Sequence, residues 1–444
     1  MRVWIDATHP GSRMRVFGLT LVERHLRVIA AAERKSRALF NAVQSVGIDG
    51  ARRKLEALAA SHGRPSEIAI EISPDDPEPD WIPADLLVAL PIRWVREPGT
   101  TRERLQRALR DSGGEPTIAL AGDTVVDDRV FEHLAWQAAG STAFIHDDGP
   151  SSAAALRLEE PLPDSPGTTE TLLEIARECV RMGAIKQTQA DDVESYIKKL
   201  RRDLAPFAFQ VSNDVSRRRV ERFLFDSNYK GSTDFMTKWV YPPLVWRILH
   251  FLTQRSVKPN SVTFVGIVAC FSAVPFFATG MWVPGLVLAY LMSVLDSVDG
   301  KLARLTYQSS AQGDVLDHGM DLVHPPFWYW AWGWALSGGD VGAGVFQASM
   351  WMVVFYIFDR VMEMLFTAGT GKSIHGYSAV DARMRTFISR RNVNLAVFTV
   401  ALAFGMAVPA FYAIVAWQAA SALFHLSRVI KFWNVNETES LTTR

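Results

Sequence analysis

Cysteine is nearly absent: Cys179 and Cys270 are the only two in 444 residues. A disulfide framework and a cysteine-based zinc site are both excluded. Net charge is absent as well, with 47 Lys and Arg against 47 Asp and Glu, so nothing global points to nucleic acid. From Met1 to about Ser256 the chain lacks any long apolar run and is rich in Arg, Asp and Glu. From Lys258 onward it is charge that becomes scarce, while Trp and Phe abound. Such a shift predicts a soluble part followed by a membrane part. No secretory leader is read at the start, since Met1-Arg-Val-Trp-Ile-Asp6 reads as a strand closed by an acid. The first part is therefore expected in the cytoplasm.

Strands and helices alternate in that first part. Strands are predicted at 2–6, 67–71, 85–90 and 117–121. Helices are predicted at 19–32, 101–112, 128–139, 168–182 and 190–204, the last from acids early and bases late in the segment. This order implies an α/β domain with a largely parallel sheet. The apolar strand at 117–121 runs into Gly122-Asp123. An acid there is either an ordinary strand-end turn residue or a ligand group at the carboxyl edge of the sheet. Past Pro206 a charged connector with Arg217, Arg218, Arg219 and Arg222 leads into an amphipathic helix at 233–254, suited to the headgroup layer. The expected organisation is an α/β domain at 1–205, connector and interfacial helix at 206–257, and a helical membrane domain at 258–444.

Six spans fit the last part, at 261–282, 285–306, 312–336, 342–367, 392–409 and 410–432. In this arrangement Lys258, Lys301, Arg304, Lys372, Arg383, Arg385, Arg390, Arg391, Arg428 and Lys431 share one side. That side is expected to be cytoplasmic, together with both termini of a multi-pass inner-membrane protein. Trp328, Trp330 and Trp332 suit lipid contact.

Two of these spans carry acids that hydrocarbon penalises, by roughly 2.5–3.5 kcal/mol each. Asp296 and Asp299 are three apart, and Asp317 and Asp321 four apart, so each pair shares a helix face. A short link joins the two helices, which lets the carboxylates converge near their cytoplasmic ends. Oxygen-only ligands favour Mg2+ or Mn2+. Gly300, Ala303 and Gly313 leave space beside them, and Arg304 faces either a phosphate or a carboxylate.

The spacing D-x2-D-G-x2-A-R-x8-G-x3-D-x3-D, from Asp296 to Asp321, resembles the full signature of the CDP-alcohol phosphotransferases. The likeness extends from about Tyr241 to the end and includes Pro259-Asn260 with Thr263. Asn260 is equally well explained as a helix N-cap. The resemblance implies a CDP-alcohol donor, an alcohol acceptor, release of CMP, two divalent ions, membrane lipid surroundings and a homodimer. Asp296, Asp299 and Asp317 would be metal ligands, and Asp321 either the general base or a ligand of a second ion. Gly300, Ala303, Arg304, Gly313, Asn260 and Thr263 would line the substrate.

The first part resembles sugar-phosphate nucleotidyltransferases, in which a strand-end acid such as Asp123 holds magnesium. The segment 16–26 is similar to the stretch after that family's nucleotide loop. The loop itself departs: Thr8-His9-Pro10-Gly11-Ser-Arg13 stands where a glycine-rich run is expected, and no lysine precedes Lys35. Fusions of two such domains resemble bifunctional enzymes of inositol-phosphate phosphodiester synthesis. Asp359, Arg360 and Glu363 read as an ion pair or part of an acceptor pocket. Arg383, Arg390 and Arg391 read as topology signals or phosphate ligands on the acceptor. A transporter of divalent cations or protons, with carboxylates along its path, is the alternative from another class.

Overall fold

A computed structural model describes residues 1–46, 64–76, 81–136, 138–164, 171–197, 199–231, 233–371 and 373–442. The chain divides into two compact units. One comprises Met1–Lys198, Arg202–Asn228 and Leu305–Tyr307; the other comprises Lys199–Arg201, Tyr229–Arg304 and Gln308–Arg444.

The first unit is built on a seven-stranded sheet. Its strands are β1 (Arg2–Asp6), β2 (Glu67–Glu71), β3 (Ile92–Val95), β4 (Thr117–Ala121), β5 (Thr142–His146), β6 (Ala153–Leu158) and β7 (Lys186–Thr188), in the spatial order β7-β5-β6-β4-β1-β2-β3. The pairs β1–β2, β1–β4, β2–β3 and β5–β7 are parallel. Strand β6 runs antiparallel to both its neighbours. Successive side chains of β1 point to opposite faces: Val3 and Ile5 join one core, and Trp4 joins the other.

Helices α1 (Leu21–Val46) and α4 (Asp128–Trp136) cover the first face through Val22, Leu26, Ile29, Val130 and Leu134. Helices α3 (Thr101–Asp111) and α5 (Leu172–Arg181) cover the second through Leu105, Ile175 and Cys179. Capping boxes at Thr100 with Glu103, and at Thr171 with Glu174, fix the starts of the latter pair. Of the predicted helix at 168–182, residues 168–170 lie outside the described set.

Two segments differ from the sequence expectation. Residues Ala84–Ala89 form a short helix, α2, and the strand follows Pro91. Leu86 and Leu90 are buried while Leu87 and Val88 are exposed, a spacing of four rather than an alternation. A run of five apolar residues is ambiguous between the two forms until its neighbours are known. The predicted helix at 190–204 is instead a 3-10 turn at Ala190–Asp192, followed by the antiparallel pair Tyr196–Ile197 and Arg202–Asp203. Arg201 takes φ +51°, which a helix excludes. Charges suited to a helix dipole do not make a helix without an apolar stripe.

His25, on α1, is fully buried, with Nε2 3.1 Å from the carbonyl oxygen of Ala121. Burial drives its pKa down to about 4 from the ordinary 6.5. Between those values the unfolded chain binds a proton that the folded one refuses. Stability from this residue is therefore complete above pH 6.5 and declines as pH falls toward 4, by roughly 3 kcal/mol in all. Relative to His25→Gln, the wild-type chain is expected to lose hydrogen-exchange protection of α1 between pH 6.5 and 5, by about 2 kcal/mol. An equal loss in both proteins would refute this.

The second unit is helical. Its elements are α7 (Pro242–Thr253), α8 (Pro259–Ala278), α9 (Trp282–Leu305), α10 (Ala311–Leu336), α11 (Gly344–Thr370), α12 (Ala379–Phe387), α13 (Arg391–Ala403) and α14 (Ala407–Thr442). In the first unit, α6 (Asp214–Ser227) completes the series. The expected interfacial helix is shorter than predicted, because a π-helical turn occupies Met236–Val240 and Pro242 and Pro243 start a fresh helix. Helices lie at the six expected positions in order, but among the described residues three segments, not six, are long and apolar enough to cross a membrane: Pro259–Ala278, Trp282–Leu305 and Ala407–Trp433.

Trp328 and Trp332, expected against lipid, are instead buried, and only Trp330 of the three is exposed. Trp332 stacks on Phe398 with ring centroids 4.2 Å apart, and Trp328 donates to the carbonyl of Cys270 at 3.0 Å. Residues four apart share a face, whereas Trp330 lies between them on another. Helices α10 and α11 approach closely at Gly333, where an added Cβ would land on the Cβ and Oγ of buried Ser349.

Candidate active site

Asp296 and Asp299 occupy one face of α9, roughly two turns before its end at Leu305. Gly313, Asp317 and Asp321 occupy the first three turns of α10. The structure brings Asp296 and Asp321 together through one guanidinium at the start of α13. Arg391 donates from Nη1 to Asp321 Oδ1 at 2.7 Å and from Nη2 to Asp296 Oδ2 at 3.1 Å. Asp299 is buried and accepts from Thr263 Oγ1 at 2.6 Å, which ties α8 to the site. The side chain of Asp317 lies outside the described residues, as does all of Lys372.

Exposure separates the three described acids. The Asp299 residue is 5% accessible, whereas the side chains of Asp296 and Asp321 are 24% and 52% accessible. The buried member suits a fixed ligand, and the exposed one suits proton exchange. Backbone position is fixed as well: Tyr356 on α11 donates its hydroxyl to the carbonyl of Asp321 at 2.8 Å. Tyr356 was not singled out in the sequence, although it lies three residues before Asp359 and so on the same face of its helix.

The small residues make room for polar groups of the chain itself. A Cβ on Gly300 would sit 3.3 Å from Arg304 Nη1, and one on Gly313 would sit 3.1 Å from both Asn260 Oδ1 and Ser310 Oγ. Ala303 is half-buried in the same turn as Arg304.

The donor set passes the test for a hard divalent ion. It is made of carboxylates alone, and in this structure a cation, the Arg391 guanidinium, already compensates two of them. Such a set fits Mg2+ or Mn2+.

A second polar cluster lies between α11, α13 and α14. Arg360 pairs with Asp359 and with Glu363, each at 2.7 Å. Glu363 also meets Arg390 at 3.1 Å and His375 Nε2 at 2.9 Å, and His425 meets Asp359 through Nδ1. Glu363, His375 and His425 bring ligand atoms within 4.8 Å of one another, a group able by geometry to hold a metal ion. Two guanidiniums already balance its two carboxylates, so the electrostatic demand for a divalent ion is weaker here than at the aspartates. Arg383 lies exposed on α12. His425 carried no sequence signal, being 66 residues from the acid it contacts.

In the first unit, Asp123 lies at the carboxyl edge where strand order reverses between β1 and β4, beside Asp6, His9 and Gln210. Gly122 is required there, because its N–H donates to the carbonyl of Asp6 at 2.7 Å and a Cβ would sit 2.8 Å from Ala7 Cα. Asp6 is bound by Arg104 Nη2 at 2.9 Å and by the hydroxyls of Thr8 and Thr101 at 2.7 and 2.8 Å. Burial pushes Asp6 upward, but Arg104 and those hydroxyls outweigh it, so the carboxyl is held below its usual range. Burial raises Asp123, only partly opposed by the Gln210 amide donating at 2.9 Å and by His9.

Residues 256–429 match the family model for CDP-alcohol phosphatidyltransferase. The inner membrane protein YnjF of Escherichia coli is 28% identical over 144 residues, covering 32% of this chain and 60% of that one. Cholinephosphotransferase 1 of Gallus gallus is 27% identical over 124 residues, covering 25% of this chain and 35% of that one. An uncharacterized CDP-alcohol phosphatidyltransferase class-I family protein of Schizosaccharomyces pombe is 28% identical over 118 residues, covering 22% and 30%. The chain thus spans from about a third to 60% of the curated relatives it matches. A crystal structure of a candidate glucose-1-phosphate thymidylyltransferase from Bacillus anthracis aligns over 50% of this chain and 94% of that one. Identity is 12% and the TM-score is 0.27.

Proposed function

Residues 256–429 belong to the CDP-alcohol phosphatidyltransferase family, and from that premise we propose that the chain is an integral membrane enzyme of phospholipid or inositol-type phosphodiester synthesis. It moves a substituted phosphate from a CDP-alcohol to an acceptor alcohol. The acceptor oxygen bonds to the β-phosphorus, the bond from that phosphorus to the bridging oxygen breaks, and CMP departs. The observation that carries this reading is the convergence of Asp296 and Asp321, from two consecutive helices, on one cation, with Asp299 one turn away.

Asp296, Asp299 and Asp317 are assigned as the ligands of Mg2+ or Mn2+, of which the site takes two ions. Bound metal would neutralise the diphosphate and hold it for in-line displacement. Asp321, the most exposed of the described three, is assigned as the base that takes the acceptor's proton. Gly300, Ala303, Arg304, Gly313, Asn260 and Thr263 line the donor. Arg360, Arg390 and Arg391, with Arg383, border the acceptor.

The proposed organisation is an α/β domain at 1–205, a connector at 206–257 and a six-span domain at 258–444, with the site and both termini cytoplasmic and the protein a homodimer. The first unit is proposed to keep a nucleotidyltransferase-like fold with altered chemistry. Asp123 faces an amide donor, Gln210, and Asp6 is consumed by Arg104. The family sets the transport reading aside.

The test is to incubate the purified protein with a panel of CDP-alcohols and acceptors and follow CMP. Release that requires Mg2+ or Mn2+ and an acceptor supports the assignment. A panel spanning diacylglycerol and polyol donors that yields no CMP under any metal would overturn it.

A further inference from the structure

Arg391 stands in an unusual place for a group meant only to meet substrate. Its planar fork spans two acids assigned to the metal and the base, and its side chain is only 11% accessible. It also has a third partner: Nη1 lies 3.1 Å from His324 Nε2. The other nitrogen of that ring, Nδ1, faces the carbonyl of Met320. A carbonyl only accepts, so Nδ1 carries the proton and Nε2 presents a lone pair to Arg391. His324 is buried and serves as a neutral anchor for the guanidinium.

Resting on the metal-site reading above, we propose that Arg391 is the built-in counter-ion of the aspartate constellation and competes with the divalent cation for Asp296. The oxygen that accepts from Nη2 at 3.1 Å is one that an ion would need at 2.0–2.6 Å. A guanidinium and a divalent ion on the same carboxylate repel each other, which weakens the guanidinium contact once an ion is bound. When the ion arrives, Arg391 gives up Asp296 and stays on Asp321 and His324. The acids are thereby kept from repelling one another when no ion is bound. Metal affinity is correspondingly weakened by the work of displacing one charge-assisted contact. Arg391 is a positioning residue in this scheme, since it acts through the acids.

The test uses the full-length protein in detergent. Mn2+ binding is followed by the loss of the free-ion electron paramagnetic signal, and melting temperature is measured with and without Mn2+. Arg391→Gln is expected to bind Mn2+ about tenfold more tightly. Its metal-free form should melt below wild type, and Mn2+ should raise its melting temperature by more. Unchanged or weaker Mn2+ binding by Arg391→Gln overturns the proposal. If that protein does not fold, Arg391→Lys carries the test, because one ammonium reaches a single carboxylate where the fork reached two. A gain of roughly threefold is then expected, and an unchanged affinity is fatal. Asp299→Asn separates the two ideas. If it leaves Mn2+ binding intact, the ion sits elsewhere and the metal-site reading fails. If it abolishes binding while Arg391→Gln matches wild type, only the counter-ion role fails.

Discussion

An Asp299→Asn protein is expected to release CMP about a hundred- to a thousandfold more slowly than wild type, with its fold intact. The substitution preserves volume in a buried position, and the amide oxygen still accepts the Thr263 hydroxyl that holds α8 against α9, while the contact from the Gly300 N–H to the other oxygen is given up. What disappears is one unit of negative charge where a cation must be held against a diphosphate. Electrostatic contributions of that kind act at their strongest where water is excluded, which is why the buried acid is expected to matter most. Circular dichroism and melting temperature would check the fold, and CMP release from whichever CDP-alcohol proves active would check the rate. Retention of a third or more of wild-type turnover would remove Asp299 from the site.

Asp321→Asn is expected to lower kcat by about a hundred- to ten-thousandfold while leaving KM for the donor within a few-fold. The reason is a division of labour by exposure. Asp321 is tied at Oδ1 to Arg391 yet remains half accessible, so an incoming hydroxyl can reach it. An alcohol is a poor nucleophile at neutral pH, and a carboxamide takes no proton from it. The pH profile makes the test specific. Wild-type turnover should fall on the acid side as the base becomes protonated, and the variant should lack that limb. A variant that keeps the limb, or loses donor affinity in proportion to rate, would return Asp321 to the ligand set.

Much of this geometry was legible because it is local. Acids three and four apart on helical segments must share faces, and a short link must bring consecutive helices back to back. The six helices could be drawn in order for the same reason. What escaped is long-range or two-sided. Arg391 meets Asp321 and Asp296 across 70 and 95 residues, and no spacing rule encodes such a partner. Periodicity finds the apolar face of a membrane helix but does not say whether lipid or another helix covers it. Trp328 and Trp332 were misplaced on that account. In the first unit, the strand expected at 85–90 and the helix expected at 190–204 do not form, because a short apolar run or a favourable charge order is all there is to read there. Asp123 was found from its strand end, but its partner Gln210 is 87 residues away.

Gly333 carries a consequence for natural variation. Every single-nucleotide change in a glycine codon that alters the residue introduces a Cβ, and at this crossing that atom has nowhere to go. In a saturation library scored for membrane yield, position 333 should therefore read as an empty column, alanine included. Recovery would come only from a second change that shrinks Ser349 to glycine.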